Sequence, residues 1–267
     1  FPKSFMWSQG FMSAIEMIPY GAAAMGEIDQ VGQRLKGREG DNEAWCDEWS
    51  KMAAQMQERA DEAAKADHQL TAGTYYLHAW TYYGYGERFL HLGDKKIEVY
   101  KKSLACFGEG IKRRYPNIER VEVPYEGKTL PAWFIKAQNV KGPAPTVVFF
   151  NGLDGTKELM YLIGVSGELA RRGVSTLIVD HPGVGEALLD RSPVIALTDE
   201  MPPAMRGRTT QMGIDHQALF QPLTKKTTRL RAEAVRSCMT PISAVGRAEI
   251  TTLAGLGTPS SPHPIQT

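Results

Sequence analysis

Thr146-Val-Val-Phe-Phe150 runs directly into Asn151-Gly-Leu-Asp-Gly155. Five β-branched and aromatic residues with no polar alternation predict a central strand covered on both faces. A helical stretch follows from Thr156 to Arg172, Gly173 ends it, and Val174–Asp180 is a second apolar run. Strand, loop, helix and strand predict parallel neighbours joined by a right-handed crossover. Upstream, Ile118–Val123 and Thr129–Lys136 flank a Glu126-Gly127-Lys128 turn, which predicts a hairpin feeding the same sheet.

Before that hairpin the period is helical. Asp41 or Asn42 caps a helix at Glu43, and Trp45, Trp49, Met52, Met56, Ala60 and Ala63 form one face. Glu48, Lys51, Glu58, Asp61 and Lys65 take the far side. A second helix, rich in Tyr and His, is predicted from about Asp67 to Leu90. Asp94 caps a third, with Ile97, Tyr100, Leu104, Phe107 and Ile111 aligned. Lys112, Arg113 and Arg114 suit its negative C-terminus before Pro116. These aromatic stripes read first as core packing, although such a layer also suits a lid over an apolar ligand.

Composition divides the chain. All 5 Trp and all 10 Tyr lie at or before Tyr161, and half of the 16 Pro lie beyond position 190. Three parts result: a helical part over 1–115, a sheet-forming part over 116–189, and a divergent tail over 190–267 expected to be irregular. Lys+Arg 31 against Asp+Glu 30 gives a net charge of +1, which argues against nucleic acid or membrane as an electrostatic partner. Cys46, Cys106 and Cys238 lie far apart, so neither a disulfide framework nor a sulfur-rich zinc site is expected, and the reducing cytoplasm is the expected compartment. No apolar run approaches the roughly 20 residues that span a bilayer. Phe1 in place of Met reads as a chain that begins inside a longer product or was processed, and Lys3 with its mixed neighbours is no secretory signal.

Two loops carry the candidate chemistry. Backbone amides of Asn151–Gly155 are expected in the crevice at the carboxyl end of the sheet, where they suit an oxyanion. A plain βα turn uses glycine in the same way, and spacing alone does not choose between them. Asp180-His-Pro-Gly-Val-Gly-Glu186 follows the next strand. Its G-x-G lacks the third glycine of a dinucleotide fingerprint, because Leu188 stands there, which disfavours a doubly wound nucleotide binder. His181 reads as structural before it reads as a base. A nucleophile elbow, G-x-S-x-G, is missing: Ser166 lies inside a predicted helix and Ser175 enters a buried strand. Asp215, His216, Cys238 and His263 form no recognisable catalytic order. Metal-ligand and phosphate-loop spacings are likewise missing, so no cofactor and no metal are expected.

Val148-Phe-Phe-Asn-Gly-Leu-Asp-Gly-Thr-Lys-Glu158 together with Ala170-Arg-Arg-Gly-Val-Ser-Thr-Leu-Ile-Val-Asp-His-Pro-Gly-Val-Gly-Glu-Ala187 closely resembles serine α/β hydrolases with an N-terminal helical cap. That group includes 2,6-dihydropseudooxynicotine hydrolase and fungal polyketide-processing hydrolases of pigment and fusarin type. Phe1-Pro-Lys-Ser-Phe-Met-Trp-Ser-Gln-Gly10 resembles the entry to the cap, and the match covers about 1–188. The resemblance implies a Ser–Asp–His triad between cap and sheet, and a small carbonyl substrate cleaved at an ester or C–C bond. It places the oxyanion amides at Gly152 and Leu153, and suggests a homodimer through the cap. The triad itself has no counterpart here. From Leu189 onward nothing matches, so the expected fold is α/β, a helical cap on an incomplete α/β-hydrolase sheet. A shifted frame, a misjoined exon and a retained intron near Leu188 remain open as the cause. Two functions follow: a hydrolase present as a truncated, inactive chain, or a non-catalytic remnant that binds a ligand or partner through its aromatic cap.

Overall fold

A computed structural model describes residues 1, 3–125, 127–150, 152 and 155–189, with the backbone of 195–200, 226–230 and 249–254. The chain divides into two compact units, Phe1–Glu186 and Ala187–Thr267.

The first unit opens with five α-helices: α1 (Phe5–Ile15), α2 (Met25–Arg34), α3 (Asn42–Lys65), α4 (Gln69–Glu87) and α5 (Asp94–Arg114). Asp41 caps α3 as expected, its Oδ1 accepting the Ala44 N–H at 2.9 Å. At α5 the cap position falls to Gly93, and Asp94 sits in the first turn. There its charge still suits the positive helix end. Helix α3 packs on α4, and α4 on α5. Trp45, Trp49, Met52, Met56 and Ala60 are buried as the spacing predicts, with Trp7 and Phe11 stacked against the two tryptophans. Glu48, expected on the far side, is buried too, and Lys51 Nζ meets it at 2.7 Å. A polar staple joins α2 to α4. Glu27 Oε2 accepts the Tyr82 O–H at 2.6 Å and lies 2.8 Å from His78 Nδ1, while Tyr82 Oη accepts the Ala24 N–H. Burial alone would raise the Glu27 carboxyl, but these hydrogen bonds bring it below the usual range.

Next come β1 (Ile118–Tyr125), β2 (Lys128–Ile135), β3 (Thr146–Phe150) and β4 (Ser175–Val179). They form one sheet in the order β1-β2-β4-β3, with β1–β2 and β2–β4 antiparallel and β3–β4 parallel. Tyr125 pairs with Lys128 across the turn, where Gly127 takes φ +76°, a left-handed value costly for other residues. The expectation of a central, doubly covered strand at 146–150 fails. Strand β3 is the sheet edge among the described residues, with Val148 49% and Phe150 64% exposed. The strand buried between neighbours is β4. An apolar run signals a strand suited to burial; it does not say how many neighbours the sheet provides. The connecting helix also differs from expectation. It is broken into α6 (Lys157–Ile163) and α7 (Ser166–Arg171) at Gly164, whose ψ of −177° leaves the helical region.

Helices and sheet share one apolar core. Phe107 of α5 stacks on Trp133 of β2 at 5.7 Å and meets Tyr161 of α6 edge-on, and Tyr115 also meets Tyr161. The second unit, read from sequence as an irregular tail, contains β5 (Ile195–Glu200), β6 (Lys226–Leu230) and β7 (Glu249–Ala254). They pair in parallel in the order β5-β7-β6. The rest of 190–267 lies outside the described residues.

Candidate functional site

Parallel pairing brings two loops together, because the carboxyl ends of β3 and β4 lie side by side: Phe150 pairs with Val179. From the first end runs the loop containing Gly152 and Gly155; from the second, Asp180 to Glu186. Gly152 is exposed, a Cβ built on it would meet nothing within 4 Å, and its carbonyl accepts the Gly155 N–H at 3.3 Å. Leu153, the second oxyanion residue expected from the resemblance, lies outside the described residues, as do Asn151 and Asp154.

The start of α6 and the loop after β4 form a buried ionic cluster that the sequence reading did not single out. Lys157, the first residue of α6, is fully buried. Its Nζ contacts Glu158 Oε1 at 2.8 Å, Asp180 Oδ2 at 2.9 Å and Glu186 Oε2 at 2.7 Å. Asp180 Oδ1 accepts the Lys157 backbone N–H at 2.7 Å, and Oδ2 accepts the Glu186 N–H at 2.9 Å. Trp133 Nε1 donates to Glu158 Oε1 at 3.1 Å. Arg120 of β1 holds Glu186 with both terminal nitrogens, at 2.8 and 2.9 Å. The glycine of the second loop has a steric reason: a Cβ on Gly185 would stand 2.3 Å from Asp180 Oδ2, and its φ is +53°.

Three carboxylates share one buried ammonium, and this explains opposite tendencies within one ion pair. Burial would lower Lys157, but Glu158, Asp180 and Glu186 outweigh it and hold its proton far above the lysine range. Asp180 is pushed up to about 6, first by burial and then by the Glu158 charge, which Lys157 only partly offsets. Burial likewise raises Glu186, yet Arg120 and Lys157 bring it below the usual carboxylate range. Tyr100 of α5 reaches the same region. Its hydroxyl is driven strongly upward by burial and by the charges of Glu158, Asp180 and Glu186.

The other candidates fall outside this arrangement. His181 is half-buried with Nδ1 3.1 Å from the Pro182 carbonyl. Ser166 is buried in α7, and Ser175 is buried at the start of β4, where its Oγ accepts the Ala137 N–H. Neither is presented as a nucleophile must be. Asp215, His216, Cys238 and His263 lie outside the described residues. Among the described residues there is no cluster of His, Cys, Asp and Glu suited to a metal, and no helix is long and apolar enough to cross a membrane.

Comparison with known proteins agrees with the layout. Residues 31–192 match the family described as Esterase FrsA-like. The α/β hydrolase xenA of Xenoacremonium sinensis is 30% identical over 69% of this chain and 44% of its own length. The 20-hydroxy-prefusarin hydrolase of Gibberella moniliformis is 30% identical over 66% of this chain and 43% of its own. The 2,6-dihydropseudooxynicotine hydrolase of Paenarthrobacter nicotinovorans is 25% identical over 64% and 46%. A crystal structure of 2,6-dihydroxy-pseudo-oxynicotine hydrolase shares the fold, with a TM-score of 0.55 and 22% identity over 67% of this chain and 48% of that one. The chain thus spans less than half the length of these relatives.

Proposed function

The chain belongs to the FrsA-like esterase family, and from that premise we propose that its site is built for attack on a carbonyl group at the carboxyl ends of β3 and β4. The substrate class is a small carbonyl compound of secondary-metabolite type, opened at an ester or C–C bond, as the names of the fungal relatives suggest. The observation that carries this reading is the order of parts: an apolar strand, a glycine loop open to solvent at Gly152, and a helix that returns to a parallel neighbour. The Gly152 and Leu153 amides are the half oxyanion hole of this proposal, stabilising negative charge on the attacked oxygen.

The same reading assigns no nucleophile. No G-x-S-x-G occurs in the 267 residues, and Ser166 and Ser175 are buried. Losing the nucleophile of a serine hydrolase costs on the order of 10⁶ in turnover. Half an oxyanion hole forgoes a further factor of about 10²–10³. The 267-residue chain is therefore a hydrolase scaffold with little or no turnover of its own. Steady-state assays of the purified chain with aryl acetates and a cleavable 1,3-diketone test this. Rates at the buffer background are expected; saturable turnover above it would overturn the inactive reading.

A further inference from the structure

We propose that Tyr100 Oη and Glu158 Oε2 hold a buried water molecule between α5 and the start of α6, the water accepting the phenol proton and donating to the carboxylate. The site lies within the first unit and does not rest on the hydrolase reading.

Two elements bring these side chains to one seam. Tyr100 precedes Phe107 by about two helical turns and so shares its face of α5. Phe107 stacks on Trp133 of β2, and the Trp133 indole donates to Glu158 Oε1. Glu158 itself is 1% exposed. The donors that hold it are spent on one oxygen. Lys157 Nζ has three protons and meets three carboxylates, reaching Glu158 at Oε1. The single indole proton goes to Oε1 as well. Glu158 Oε2 is buried and has no hydrogen-bond partner among the described residues, and the same is true of the Tyr100 hydroxyl.

A buried carboxylate oxygen and a buried phenol are each costly to leave unpaired, and native proteins seldom do so. Here one group needs a donor and the other offers one. Tyr100 remains a donor, because burial and the charge of Glu158, ahead of Asp180 and Glu186, drive its proton loss far upward. The two groups do not bond directly, since neither has a partner, yet Glu158 is the charge that the phenol feels most. A single water spans such a gap and satisfies both, one as acceptor and one as donor. It thereby links the helical layer to the ionic cluster without adding a charge to it.

A crystal structure of the full chain at about 2 Å tests this directly. One water within about 3.2 Å of both Tyr100 Oη and Glu158 Oε2 is expected. A direct bond between the two atoms, or apolar side chains filling the space between them, would overturn the proposal. Oxygen-17 magnetic relaxation dispersion, which counts long-lived internal waters in solution, gives a second readout. Tyr100→Phe is expected to lower the count by about one relative to the wild type. Tyr85→Phe is the control: its hydroxyl donates to the Ser13 carbonyl, so its loss should leave the count unchanged. No fall in Tyr100→Phe, or an equal fall in both variants, would overturn the assignment. If Tyr100→Phe does not fold, the crystal structure of the wild type still decides.

Discussion

Gly185 and Asp180 make a steric and electrostatic pair that testing the loop for a dinucleotide fingerprint overlooks. With φ at +53° and a carboxylate where a Cβ would go, Gly185→Ala is expected to destabilise the first unit by about 1–3 kcal/mol, measured by urea unfolding. Asp180 should also leave a mark on the pH dependence. Its folded carboxyl is pushed up to about 6 from 3.8, so between those values the folded chain binds its proton more tightly than the unfolded chain. Its contribution therefore favours folding at low pH and is lost as the pH rises through about 6. The stability of the wild type relative to Asp180→Asn is expected to fall from pH 4 to pH 6 in unfolding titrations. A rising difference would mean that Lys157 dominates and the direction is reversed. Lys157, Glu158 and Glu186 escaped the sequence reading because charged residues flanking a glycine loop look like ordinary surface. The available signal was their position in the segments that follow two apolar strands.

Elements were more legible than residues. Helical periodicity located α3 and α5, a glycine turn the hairpin, and continuous apolar runs the β3–β4 pair, since each follows from a local pattern. Periodicity says nothing of neighbours, and there β3 was misread. Among the described residues β3 is the sheet edge, and its exposed Val148 and Phe150, with no Lys or Pro within the strand, suit pairing with another chain. Val148→Lys is expected to reduce self-association severalfold, read by light scattering, at a cost in stability within about 0.5 kcal/mol. An equal or greater tendency to associate would show that aggregation starts elsewhere. At the start of α3, Asp41→Ala removes the acceptor for the Ala44 N–H and is expected to cost about 1 kcal/mol in the same unfolding assay.

At the scale of the first unit, the helix-on-sheet layout follows from the order of periods along the chain, and the shared core of Phe107, Trp133 and Tyr161 is its consequence. That core consumes much of the aromatic surface: Trp7, Trp45, Trp49, Tyr82 and Phe107 are fully buried. The buried cluster around Lys157 was not legible, because it depends on which loops meet rather than on any local pattern. The central proposal is that these 267 residues form a hydrolase scaffold that supplies no serine nucleophile. Fluorophosphonate labelling of the purified chain, followed by intact mass and peptide mapping, tests it most directly. The account predicts no stoichiometric adduct on any serine. One serine labelled to completion, with ester turnover that disappears on its change to Ala, would contradict it.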